Sequence, residues 1–255
     1  MKIGAVNDFR NDLCDEIKLI ASEGFDFVDL TLEPLFSREV DPGNVKQALE
    51  ESGIEVIGHT SPFLPVIFPL KKIRQASFEE FSGYIDFFSR LGVSLMNLHP
   101  SDSIPLMDPE SVFRYNREFI SKVNRICREK GITLMVETVL KPFNTPEIFE
   151  RLLDGMEDIM VHLDVGHCNI STDRDLVDEF FRVFGKRIVH VHLSDNHGDL
   201  DRHLPLGCGN IDWARIISIL RRYGYDSTLT LEVFTGEREY LLYSKKFLER
   251  LLGEK

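Results

Sequence analysis

Residues 132–167 read ITLMVETVLKPFNTPEIFERLLDGMEDIMVHLDVGH. Two apolar runs, ITLMVET at 132–138 and IMVHL at 159–163, flank a stretch at 145–154 whose apolar residues recur at helical spacing. Runs this apolar suit strands buried on both faces of a parallel sheet. Thr145-Pro146 sets a proline at a first helical position behind a cap residue, where a missing N–H leaves no bond unmade. The stretch is expected to form strand, helix and strand, and an acid, Glu137 or Asp164, stands at the end of each strand.

The same alternation continues in both directions. Further strands are expected at 2–6, 26–32, 54–58, 93–98, 188–193 and 228–233, and further helices at 11–23, 42–52, 75–91, 109–130, 173–184, 211–223 and 237–252. Asp41-Pro42 and Asp108-Pro109 repeat the start signal. Gly53, Gly92, Gly131 and Gly224 follow helices and precede strands, where a left-handed cap is expected. Eight βα units in 255 residues, without a linker-like stretch, predict an α/β fold of one domain over residues 1–255, a single (β/α)8 TIM barrel. The rival is an open doubly wound sheet. That fold usually carries a glycine-rich phosphate loop after its first strand, and here Val6-Asn7-Asp8-Phe9-Arg10 stands in that place.

The 42 acidic and 30 basic residues give a net charge of −12, which repels nucleic acid and anionic membranes at long range. A metal-bearing cleft overrides such a field locally, so charge disfavours DNA without excluding it. Cys14, Cys127, Cys168 and Cys208 show no Cys-x-x-Cys spacing, which argues against a zinc ribbon or a redox pair. Scattered thiols in a chain of this length fit a reducing compartment. Met1 leads into Lys-Ile-Gly-Ala-Val, too soon polar for a secretory leader, and no apolar run reaches membrane-spanning length. A cytoplasmic protein without a membrane partner is expected.

In a parallel barrel the reactive face lies at the C-terminal ends of the strands. His59 in GHTSP, His99 in NLHPS, Glu137 in MVETV, Asp164 and His167 in HLDVGH, His192 in HVHLSD, Asp201 and His203 in DRHLPLG, and Glu232 in LTLEVF all fall there. One histidine or glutamate at a strand end is more often a hydrogen-bonded structural group than a ligand. Five of the eight histidines on one rim are a different matter. His162 and His190 precede Asp164 and His192 by two residues and share their strand face; they are expected to fill the layer below or to support the ligands. His197 is expected to be solvated, and Asp8 and Glu33 are treated as structural groups near the first strand ends. Glu137, Asp164, Asp201 and Glu232 would converge, and like charges about 4 Å apart repel by roughly 4 kcal/mol at an effective dielectric of about 20. A divalent cation relieves this, and carboxylate with imidazole suits zinc, manganese or cobalt better than calcium. A divalent metal, zinc or manganese foremost, is the expected cofactor.

With these residues in view, the chain resembles the xylose isomerase-like superfamily of barrels, which includes sugar epimerases and endonuclease IV. The likeness covers essentially the whole chain and is strongest in HLDVGHCN, HVHLSDNHGDLDRHLPLGCGNIDW and LTLEVF. It implies one metal held by Glu137, Asp164, His192 and Glu232, the positions matching the epimerase ligands. The likeness to endonuclease IV implies two more zinc ions, one at His59 and His99 and one at His167, Asp201 and His203, so one to three ions are implied. Two departures matter. Epimerases of the superfamily typically carry an arginine six residues after the strand-seven histidine; here Gly198 stands there, and Arg202 is the nearest arginine. Against endonuclease IV the chain looks shorter, with the loss falling in DNA-contacting loops.

The resemblance implies, first, an isomerase or epimerase acting on a small sugar or sugar phosphate through an enediolate. Glu137 and Glu232 would be proton donor and acceptor, with His167 and Arg202 orienting hydroxyls or a phosphate. The proline-rich loop 61–69 would be a lid over the site, or else a packed loop or an oligomer contact. The alternative is an endonuclease IV-like zinc phosphodiesterase acting on abasic-site DNA, with Lys71, Lys72 and Arg74 meeting phosphates. The chain lacks the broad basic stripe that DNA binding usually needs. A non-catalytic, metal-stabilised barrel would leave two glutamates among the ligands unexplained. Sugar chemistry is the expected function. Oligomeric state is left open, since Trp213 at a helix start can pack within the chain or against a partner.

Overall fold

The computed structural model describes residues 1–33, 40–101 and 104–253. Its strands are β1 Lys2–Val6, β2 Phe27–Leu32, β3 Glu55–Thr60, β4 Leu95–Leu98, β5 Thr133–Glu137, β6 Met160–Asp164, β7 Ile188–Leu193 and β8 Thr228–Leu231. All pair in parallel in sequence order, and β1 closes on β8 with Ala5 opposite Leu231. This is the expected (β/α)8 barrel. Its helices are α1 Leu13–Ser22, α2 Pro42–Ser52, α3 Lys71–Leu91, α4 Pro109–Glu129, α5 Pro146–Leu153, α6 Val165–Asn169, α7 Leu176–Phe184, α8 Trp213–Arg222 and α9 Glu239–Leu252.

The helix ends follow local chemistry. Asp41 and Asp108 cap α2 and α4 by accepting from the amides of Asn44 and Ser111 at 3.1 and 2.9 Å. Thr145 departs from expectation, for its side chain makes no cap although Pro146 opens α5. The four expected glycine caps all take positive φ. Periodicity does not disclose α6; the Asp164 carboxylate creates it by accepting from the His167 amide at 2.6 Å. β3 runs on to Thr60, so His59 sits inside the strand, whereas β8 stops at Leu231 and Glu232 lies just beyond.

Alternation along the strands stratifies the barrel interior. Phe27, Ile57 and Met135 form a small apolar cluster at its base. Gly4 makes room for it, since a β-carbon there would stand 2.3 Å from the Phe27 ring. Two residues further along β2, β3 and β5 come Asp29, His59 and Glu137, all buried. The larger core lies outside the barrel wall, where outward residues such as Val28, Leu30 and Val136 meet Ile17, Phe88 and Phe149 of the helices. No helix of the described residues is long and apolar enough to cross a membrane.

Candidate metal centre

Strand register assembles the centre. Asp164 stands opposite His192 across β6 and β7, and His192 opposite Thr230 across β7 and β8. Donor atoms of Asp164, His192 and Glu232 therefore lie within 4.8 Å of one another. His192 Nδ1 is 2.9 Å from Glu232 Oε2 and 4.0 Å from Asp164 Oδ2. Glu137 enters from β5, forming with Asp164 and His167 a second group of the same tightness. All five side chains are buried.

Burial drives the Asp164 carboxyl up to about 7, and Glu232, Glu137 and Asp201 add to the rise against the pull of His167. Its Oδ2 is buried without a hydrogen-bond partner. Burial also disfavours charge on Glu232, but His192 and His203 outweigh it and hold that carboxyl at about 2. Glu137 is likewise held well below the ordinary carboxylate range, with burial offset by His162 and His99 at 3.1 and 2.8 Å. Burial lowers His203, yet Glu232 and Asp201 carry it up to about 9. Acids and imidazoles therefore surround the Asp164 carboxyl, one oxygen of which is orphaned. A divalent cation fits that donor set: it would supply the missing partner of Asp164 and replace the protons on the histidines, and mixed oxygen and nitrogen donors suit zinc or manganese.

The other expected ligands lie on the same rim. His59, His99 and Glu137 form a third compact group. Asp201 Oδ2 sits between His167 Nε2 at 3.1 Å and His203 Nε2 at 3.0 Å. The guanidinium of Arg202, the expected partner of a hydroxyl or phosphate, pairs with Asp199 at 2.6 Å, three residues back, and is not among the residues that line the cavity. The nearer carboxylate holds the side chain outside. Asp8 pairs with Arg10 at 2.6 Å, whereas Glu33 lines the cavity and accepts from Ser61 Oγ at 2.8 Å. His197 is exposed. The loop after His59 is anchored by buried Val66 and Ile67, while Pro62, Phe63 and Leu64 overhang the cavity.

Sequence reasoning passes over the residues that hold this rim in place. Asp29 is fully buried, and its Oδ2 accepts from His192 Nε2 at 2.7 Å, His190 Nε2 at 2.8 Å and Thr230 Oγ1 at 2.9 Å. With Nε2 committed to Asp29, His192 presents Nδ1 to the centre. The available signal is an acid in the middle of the apolar strand FVDLTL. Asn97 donates to Glu137 Oε2 at 2.9 Å and accepts from the Thr60 amide at 2.6 Å. The Thr138 carbonyl takes His167 Nδ1 at 2.7 Å, turning Nε2 toward Asp201. Asp195 braces the loop that carries Asp201 and His203, accepting from the Gly207 amide and from Trp213 Nε1, each at 2.8 Å. Trp213 therefore packs within the chain.

A family model described as xylose isomerase-like TIM barrel matches residues 17–251. An uncharacterized protein of Methanocaldococcus jannaschii is 24% identical over 234 residues, 86% of this chain and 78% of its own length. The D-psicose 3-epimerase of Ruminiclostridium cellulolyticum is 25% identical over 237 residues, 86% of this chain and 77% of that enzyme. Among solved structures, a D-tagatose 3-epimerase-like protein has the same fold, with a TM-score of 0.88 at 22% identity over 99% of this chain and 97% of that one. The matched segment spans all but the first strand and the chain ends, and on it the chain belongs to the xylose isomerase-like TIM barrel family.

Proposed function

We propose that the chain is a divalent-metal-dependent epimerase or isomerase of a small sugar or sugar phosphate, working through an enediolate. One observation carries the reading. Glu137, at the end of β5, and Glu232, just past β8, both line the cavity, and each has a donor atom within 4.8 Å of an Asp164 carboxylate oxygen. An ion held by Glu137, Asp164, His192 and Glu232 would supply positive charge beside a substrate carbonyl and its neighbouring hydroxyl. The chain supplies the rest. Each glutamate can take the proton from the carbon next to the carbonyl of one epimer and, once protonated, return one to the other face. His167, whose ring is fixed through Nδ1 on the Thr138 carbonyl, would orient a hydroxyl. Pro62, Phe63 and Leu64, which line the cavity, would cover one side of a bound substrate. Incubation of the metal-loaded protein with ketoses in D2O is expected to put deuterium on the carbon next to the carbonyl and to yield the epimer. Absence of deuterium with every ketose tested would refute the enediolate.

The remaining histidine groups favour a second reading, an endonuclease IV-like zinc phosphodiesterase. Against it, the Arg74 guanidinium binds the carbonyls of Phe68 and Pro69 at 2.7 and 2.9 Å, and neither Lys71 nor Lys72 lines the cavity. Elemental analysis separates the two. One ion per chain supports sugar chemistry, and three ions with nicking of abasic duplex DNA support the phosphodiesterase.

On the same reading Asp29 sets the ring nitrogen that His192 offers. Asp29→Asn keeps the shape and removes the charge, and such changes behind a ligand weaken metal binding by about 10- to 100-fold. Competition with a chromophoric chelator measures it, and unchanged affinity in a folded variant would show that Asp29 only packs.

A further inference from the structure

The cavity above the ligand rim encloses about 1230 Å³, more than the roughly 300–1,000 Å³ of ordinary small-molecule sites. Its floor is acid and imidazole; its wall is not. Phe9, Phe63, Phe68, Phe234, Pro62 and Leu140 line it. Phe63 is 79% exposed and Phe234 is 43% exposed, so much of this wall faces water. The wall begins directly beside the rim: the Phe234 ring lies 4.8 Å from the His203 ring and 6.1 Å, edge-on, from Phe9. It is one surface with the centre, within reach of a substrate anchored there.

Among the described residues no lysine or arginine lines this cavity. Four nearby cations, three in loops and Arg74 in the first turn of α3, are engaged elsewhere. Arg10 and Arg202 hold Asp8 and Asp199, Arg74 holds the loop that precedes α3, and Lys141 donates to the Ser171 carbonyl at 2.9 Å. A phosphate dianion leaving water needs charge-assisted donors. Here its far end would meet phenylalanine, proline and the carboxylates of Glu33 and Asp201.

We propose that the substrate is an unphosphorylated sugar bearing an apolar substituent at the end remote from the reacting carbonyl, with the substituent lying on the Phe9, Phe63 and Phe234 wall. This rests on the sugar reading above and names its substrate class. The test uses the full chain loaded with Mn2+ and three matched probes: D-fructose, its 6-phosphate and its 6-O-benzyl ether. Binding is followed by calorimetry and turnover by deuterium exchange. Burying one aromatic group predicts a Kd for the benzyl ether about tenfold or more below that of D-fructose. The 6-phosphate is expected to bind more weakly than D-fructose, and the double substitution Phe63→Ala with Phe234→Ala is expected to bring the benzyl ether back toward the parent sugar. Tighter binding of the 6-phosphate, or no advantage for the benzyl ether, overturns the proposal. So does a dimer that Phe63→Glu dissociates without changing the ratio of the two Kd values, because the wall then serves a second copy of the chain. Calorimetry reads the preference without turnover. Binding in the expected order with no exchange would therefore remove the enediolate chemistry and leave the substrate class standing.

Discussion

Glu137→Gln and Glu232→Gln are each expected to stop net epimerisation, lowering kcat by about a thousandfold or more, within the range that positioned acids and bases supply. The two variants should differ in what survives. If each glutamate serves one face of the substrate, removing one leaves the other able to draw its proton from its own epimer. Each variant then exchanges deuterium into one epimer of a pair and not the other, and the two are complementary. Both residues are also candidate ligands, so the measurement includes elemental analysis of each variant. A variant that keeps its ion, loses inversion and retains one-sided exchange isolates proton transfer. Equal exchange into both epimers by either variant would show that a single group does the work. The surroundings support this division: Glu137 is held by Asn97 and His99, and Glu232 by His192.

Metal addition is the second large effect. An ion that binds only the folded chain stabilises it by about 4 kcal/mol at a thousandfold excess over Kd, which corresponds to a rise in Tm of about 10 °C for a chain of this size. Scanning calorimetry with and without Zn2+ or Mn2+ measures it, and an unchanged Tm would deny the centre a cation. The pH dependence of the metal-free protein provides a cross-check. His203 rises from an ordinary 6.5 to about 9 on folding, so its contribution is complete below 6.5 and lost as pH climbs through 9. Asp164 rises from 3.8 to about 7, so its contribution is complete only below 3.8 and is lost as pH climbs from there through 7. Glu232, lowered from 4.5 to about 2, works in the other direction and loses its contribution only as pH falls toward 2. Metal-free protein is therefore expected to lose stability in two overlapping steps, through Asp164 between pH 3.8 and 7 and through His203 between pH 6.5 and 9. The loaded protein should hold it, because the ion occupies positions that protons leave.

Much of the candidate rim is legible before folding is considered. Strand ends are marked by short apolar runs, and a parallel barrel sends every such end to one face, so His59, His99, Glu137, Asp164, His192 and Glu232 can be grouped from their places alone. Asp29 cannot be grouped in that way. It lies two residues inside its strand's apolar run, and only barrel closure brings it within 2.7 Å of a histidine 163 positions away. Arg202 shows the opposite dependence. Proximity in sequence to Asp201 and His203 suggests a place in the pocket, but side-chain direction is decided by the nearest partner, and that partner is Asp199.

The residues alone determined the kind of fold and the identity of the candidate donor groups, because backbone periodicity and side-chain chemistry are local properties that every segment carries with it. Which nitrogen of His192 faces the centre, which oxygen of Asp164 lacks a partner, and which cations turn away from the cavity were decided only in three dimensions. Those outcomes depend on hydrogen bonds and burial between segments far apart in the chain, whose energies exist only once the barrel has closed.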